Sequence, residues 1–217
     1  LTASNVSMVN SNQINGADTA VYSDSSTVTE MKSNTVSTST NGLVIYKSKV
    51  DTIGSNALSG ASGIGIYVIK DSTVTTIKDN SFGDGYAGII IESDYGDFQD
   101  FSQTEEEASA PVTMAAGTNI LRNNFQGTQI GVGLSGAQIN NVENNTLVSV
   151  DQGFIGYYSS MVDVTENSLE HDTNAVTGNG IDLFTSSIVQ LSSNTIQRYI
   201  TGLEMTDAST ISGVFDG

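Results

Sequence analysis

The phrase VDTIGSNAL at 50–58 recurs along the whole chain and limits what it can fold into. It reads apolar, two residues, apolar, two residues, Asn, one residue, apolar. The Asn falls at Asn12, Asn34, Asn56, Asn80, Asn123, Asn145, Asn167 and Asn194, with spacings of 22, 22, 24, 43, 22, 22 and 27 residues. Three positions before each Asn stand Val9, Met31, Ile53, Ile77, Ile120, Val142, Val164 and Leu191, and two positions after it an apolar residue recurs. Six positions before, only Gly117 breaks the apolar rule. A ninth copy starts at Ile211 and Val214. A fixed period of this size is the mark of a solenoid. Apolar residues three apart also suit a helix face. That alternative fails because the phrase is short and largely β-branched, among Ser, Thr, Asn and Gly.

A second phrase follows. Gly42, Gly88, Gly131, Gly153 and Gly202 stand eight residues after their Asn, each opening a short apolar strand such as GLVIY or GIIIE. The third copy, GIGIYV at 63–68, leaves two registers open, and GIDLF at 180–184 is displaced by five extra residues. Each copy therefore holds about three short strands. Stacked in parallel, eight coils enclose one apolar core and rise ~4.8 Å apiece, a rod on the order of 40 Å long. The repeated Asn is expected to take the left-handed backbone of a tight turn and to bond its equivalents one coil above and below.

The GIxI strand, the Ser/Thr-flanked V-x-x-I and the N-x-I turn resemble the coils of right-handed parallel β-helix proteins. That superfamily includes pectate lyases, polygalacturonases, NosD-like and other carbohydrate-binding β-helices, phage tailspikes and surface adhesins. The resemblance runs from Val6 to Val214. It implies an all-β, right-handed parallel β-helix of about eight ~22-residue coils, a fold that hosts many activities.

Two interruptions break the period. A coil hidden in the 43-residue gap would need apolar residues at positions held by Gly96, Gln99 and Thr104. The gap instead reads as an acidic loop insertion over about 94–116, and long loops in compact repeats are functional or disordered. A shorter insertion at 170–179 carries the only His, His171, expected as an exposed surface residue. The chain begins and ends in mid-coil without a capping helix. The expectation is a single β-helix domain over 1–217 that is a segment of a longer solenoid, or a subunit covered end to end by neighbours.

Charge narrows the partners. There are 24 acidic residues against 7 basic, a formal net charge of -17. Phosphate contacts need Lys or Arg, so nucleic acid is not an expected partner, and an anionic membrane surface repels this chain. No apolar run approaches the ~20 residues of a membrane span. Cys is absent, so there are no disulfides.

Candidate sites follow from strand alternation. The outward residues of the GIxI strand are expected to be Tyr22, Val44, Ile90, Gly133, Ile155, Asp182 and Glu204. Tyr22, Val44, Ile90 and Ile155 form an apolar stripe for carbohydrate or a protein partner, unless the acidic insertion folds back over it. Asp182 and Glu204 fall at equivalent positions of adjacent coils, where paired carboxylates act as acid and base, bind Ca²⁺, or are simply solvated. Asp94, Asp97 and Asp100, with Glu105, Glu106 and Glu107, offer oxygen ligands for Ca²⁺, the one cofactor considered. The motifs of the resembling enzymes are missing. The NTD, DD, GHG and RIK motifs of polygalacturonases are absent, and Arg122 and Arg198 lie beside turn Asn residues rather than in a pectate-lyase motif. The reading is a non-catalytic structural or adhesive segment of an extracellular or cell-surface protein, such as a filament or surface-layer component. Its partners are other subunits, the rest of a longer chain, or polysaccharide. The alternative is a polysaccharide-active enzyme or carbohydrate-binding module.

Overall fold

The computed structural model describes residues 1–93, 115–172, 178–213 and 215–216. Every regular element among them is a β-strand, arranged in three parallel sheets. Sheet I has eight strands, in stack order Gln13–Asp24, Thr35–Tyr46, Ile64–Ile69, Gly85–Glu92, Thr128–Ser135, Gln152–Tyr157, Asn179–Phe184 and Thr201–Thr206. Sheet II runs from Asn5–Asn10 through Thr27–Lys32 and Lys49–Gly54 to Ser187–Ser192, which pairs with both Thr210–Ile211 and Phe215–Asp216. Sheet III is narrow, with five strands from Ser81–Phe82 to Thr195–Gln197. Strand order follows chain order in every sheet, so each coil lies directly on the previous one. This is the expected parallel β-helix.

The 43-residue gap hides no coil. Asn80 donates to Asn123 Oδ1 at 3.0 Å, and Gly85–Glu92 pairs directly with Thr128–Ser135. The coils flanking the insertion are immediate neighbours. The acidic segment itself, with Asp94, Asp97, Asp100 and Glu105 to Glu107, lies outside the described residues, as does Val214.

The inward residues of each coil fuse into one core. Val28, Val50 and Val74 continue into Ile139, Met161 and Ile188, all buried. Gly117 does not occupy this row. The strand slips by one residue, Thr118 pairs with Ile139, and the Thr118 side chain is buried in the slot. Its hydroxyl donates to Val74 O at 2.7 Å, satisfying the polar group that an apolar row would leave unpaired.

The Asn residues form an unbroken ladder. Each of the first seven donates from its side-chain amide to Oδ1 of the next, at 2.8–3.1 Å from Asn12 to Asn194. The same Oδ1 accepts the backbone N–H of the preceding Asn, as at Asn56 on Asn80, 3.0 Å. The Asn residues are not themselves left-handed, contrary to expectation. The residue before each one is: Ser11, Ser33, Ser55, Asp79, Arg122, Asn144, Glu166 and Ser193 have φ of 51–57°. The turn places the left-handed residue outside and turns the Asn inward, where its amide bonds along the stack.

A second ladder, of serines, went unread in the sequence. Ser26, Ser48, Ser72, Ser159, Ser186 and Ser209 each accept a backbone N–H from the coil before at 3.0–3.2 Å. Their spacing of 22 and 24, then 27 and 23 residues, tracks the coil period and was the available signal.

The glycines of the second phrase also gain a reason. Leu43 pairs with Ile66 and Ile66 with Ile89, which aligns Gly42, Gly65 and Gly88 and settles the third coil on Gly65. The column continues through Gly131, Gly153, Gly180 and Gly202. A Cβ on Gly65 would stand 2.4 Å from the Phe82 ring, and one on Gly88 2.3 Å from Phe125. Sheet I is therefore bare where the large side chains of sheet III press against it. There Phe82 and Phe125 stack with centroids 4.7 Å apart.

Candidate functional site

The outer face of sheet I carries the predicted row in register. Tyr22 pairs with Val44, Val44 with Tyr67, Tyr67 with Ile90, and Ile90 with Gly133; then follow Ile155, Asp182 and Glu204. Tyr67 joins the row once the register of the third coil is known. Exposure along it is uneven. Tyr22 is 44% exposed and its ring stacks on Tyr46, whereas Val44, Ile90 and Ile155 are at most 6% exposed. Ile90 and Ile155 belong to a second apolar cluster with Ile64, Ala87 and Ile130, flanked by Tyr67, Tyr86 and Tyr157. This cluster lies outside the main core, on the far side of sheet I.

Beside it opens a cleft of about 430 Å³. Ile130 and Ile155 lie in its lining with Tyr86 and Tyr157, and its polar groups are Gln129, Gln152, Asp151 and Asp182. Burial pushes the Tyr157 hydroxyl pKa up, and Asp182 and Tyr86 push it further in the same direction. The Tyr86 hydroxyl is raised for the same first reason, with Glu92 adding to it.

Asp182 and Glu204 are cross-strand neighbours, as alternation implied. Asn179 bridges them, its amide donating to Asp182 Oδ2 at 3.2 Å and to Glu204 Oε2 at 2.7 Å. Burial raises the Asp182 pKa, the Asn179 hydrogen bond opposes this, and the Glu204 carboxylate adds to the rise. Asp182 reaches the cleft; Glu204 is not among its lining residues.

His171 is not the surface residue expected of a lone loop histidine. It is 5% exposed, its ring meets Tyr199 edge-on at 5.2 Å, and its Nε2 lies 3.3 Å from Asp151 Oδ1. Neither ring nitrogen makes a well-aligned hydrogen bond, and the buried Tyr199 hydroxyl also lacks a partner. Burial and the Asp151 charge push the Tyr199 pKa well above the usual tyrosine range. His171 takes the place of a turn residue. Gly127, Ser149 and Arg198 hold the equivalent position in neighbouring coils and are left-handed. His171 is not left-handed. Sequence spacing offered no sign of the Asp151 contact, since Asp151 comes from the preceding coil through an irregular segment.

The two arginines are surface partners of acids. Arg122 grips Asp79 through two bonds of 2.8 and 3.0 Å, and Arg198 pairs with Glu170. Among the described residues no Lys or Arg lines the cleft.

A family model described as periplasmic copper-binding protein (NosD) matches residues 1–109, just over half of the 217 residues. The chain belongs to the NosD family. No curated protein and no solved structure matches it. The NosD match ends before most of the cleft residues, reaching Tyr86 but not Asp151, Tyr157 or Asp182. The family description names copper, so the donors of this NosD chain need testing against it. Copper sites draw on His, Cys and Met. This chain has no Cys and one His. Met31 and Met161 are spent in the apolar core, Met8 and Met205 stand in the first and last coils of different sheets, and Met114 lies outside the described residues. Among the described residues no group of three or more His, Cys, Asp or Glu converges on one point. The donor set of the described residues does not fit copper. Among the same residues no helix is long and apolar enough to cross a membrane.

Proposed function

We propose that this chain is a non-catalytic, adhesive β-helix of the cell envelope that holds polysaccharide on the outer face of sheet I. The carrying observation is the cleft between Tyr86 and Tyr157, which sets two aromatic rings beside the amides of Gln129 and Gln152 on a rigid sheet. Sugar rings offer apolar faces for stacking and hydroxyls for amides, and a preformed cleft binds them without an ordering cost. The exposed stack of Tyr22 on Tyr46 extends the aromatic surface along the rod. The family's periplasmic description supports a place outside the cytoplasm. Other subunits or the remainder of a longer chain serve as the attachment points. The test is affinity for immobilised polysaccharides. Tyr86→Ala and Tyr157→Ala are expected to weaken binding by about tenfold each, the worth of one stacking contact; unchanged binding in both variants overturns the assignment.

An enzymatic reading rests on the Asn179-bridged carboxylates. Burial and the neighbouring Glu204 carboxylate raise the Asp182 pKa, as suits a carboxyl that acts as a general acid. It predicts release of reducing ends from a polysaccharide, abolished in Asp182→Asn. Calcium is a separate proposal on Asp94, Asp97 and Asp100, and a melting temperature unmoved by millimolar Ca²⁺ removes it.

A further inference from the structure

From the charge and hydrogen-bonding pattern of the cleft we infer that it selects a sugar carrying a free primary ammonium, an amino sugar, over neutral sugars and uronates. This rests on the carbohydrate reading and narrows its ligand. The groups facing the cleft are mostly acceptors. Asp151 and Asp182 bring carboxylates from adjacent coils. Gln152 brings a side-chain oxygen that is buried and has no hydrogen-bond partner. His171 lies under the same end: it is 5% exposed, lacks a hydrogen bond at either nitrogen, and has Nε2 near Asp151. Gly178, on the cleft lining, packs against that ring, since a Cβ there would stand 2.9 Å from Cδ2 and 3.1 Å from Nε2.

No Lys or Arg answers these acceptors. The seven basic residues are Lys32, Lys47, Lys49, Lys70, Lys78, Arg122 and Arg198, and none lines the cleft. None lies in 94–114 or 173–177 either, so the segments outside the described residues bring no cation. A uronate entering here meets carboxylates without a counter-charge. An ammonium group satisfies Asp182 and Asp151 by charge-assisted bonds, while the Tyr86 and Tyr157 faces attract a cation as well as a sugar ring. Asn179 engages only Asp182 Oδ2, which leaves Oδ1 for the ligand.

The experiment is calorimetric titration at 150 mM salt with matched oligomers of glucosamine, N-acetylglucosamine, glucose and galacturonate. Three variants accompany the wild type. Asp182→Asn and Asp151→Asn each remove one cleft charge. Asp163→Asn removes one charge on sheet II, away from the cleft. Thermal melts verify that each is folded. Glucosamine oligomers are expected to bind at least tenfold tighter than the acetylated and neutral ones, with no binding of galacturonate. Asp182→Asn or Asp151→Asn is expected to remove most of that preference, and Asp163→Asn none of it. Equal affinity for acetylated, neutral and amino oligomers overturns the inference and leaves the carbohydrate reading standing. An amine preference lost equally in Asp163→Asn reflects net charge alone and overturns it too. Binding of no oligomer overturns both.

Discussion

At the residue scale, the central device is one side chain that closes four hydrogen bonds. Asn123 donates to Asn145 Oδ1 at 3.1 Å and to Ile77 O at 3.0 Å, and its own Oδ1 accepts both the side-chain amide and the backbone N–H of Asn80. Leaving such partners buried and unpaired costs about 1–3 kcal/mol per group. Asn123→Ala is therefore expected to destabilise by about 3 kcal/mol or more, measured by urea denaturation. Asn12, at the exposed end of the described ladder and with fewer partners, is expected to cost less than half as much. Equal losses at the two positions would mean that the ladder does not act through burial. Asp182 makes a pH prediction. Its folded pKa lies above the ordinary 3.8, so the folded state binds the proton more tightly than the unfolded chain. Its stabilising effect is complete below that ordinary value and is lost as pH rises through the folded value. Asp182→Asn is expected to flatten this decline in melting temperature across mildly acid pH.

At the element scale, coil geometry is set by what faces what across the core. The glycine column of sheet I exists because the phenylalanines and leucines of sheet III reach it. Gly88→Ala places a methyl against the Phe125 ring, and overpacking of this kind costs about 1–3 kcal/mol. Phe125→Ala opens a cavity at the Phe82 stack and is expected to cost about 3–5 kcal/mol by chemical denaturation. The double variant is expected to fall short of the sum, since the alanine at 88 then grows into the space left by the ring. Strict additivity would show that the two do not meet.

At the scale of the molecule, parallel in-register stacking turns a local code into long-range order. A position repeated each coil becomes a continuous row, whether Asn, Ser, Gly or apolar. The same stacking accumulates charge. With a formal net charge of -17, self-repulsion opposes the compact rod. Raising NaCl from 20 to ~500 mM shortens the Debye length from about 20 Å to about 4 Å and is expected to raise the melting temperature by several degrees. A melting temperature independent of salt would show that the acids are already neutralised in pairs.

The chain's own residues determined the period, the inward rows, the Asn ladder, the extra-loop nature of the 43-residue gap, and the adjacency of Asp182 to Glu204. All of these follow from a repeat whose copies stack one on the next, so that sequence offset equals spatial offset. Tertiary structure decided what depends on depth and lateral approach. The left-handed residue precedes the Asn because the amide must point inward. Thr118 replaces Gly117 because a register slip carries it into the core slot. Val44, Ile90 and Ile155 are buried rather than exposed because alternation sets the face on which a side chain stands and not what packs around it. His171 and Asp151 meet side chain to side chain between adjacent coils, at an offset that the repeat does not specify, and the cleft gathers residues from different coils. A periodic code carries no information at the places where the period fails.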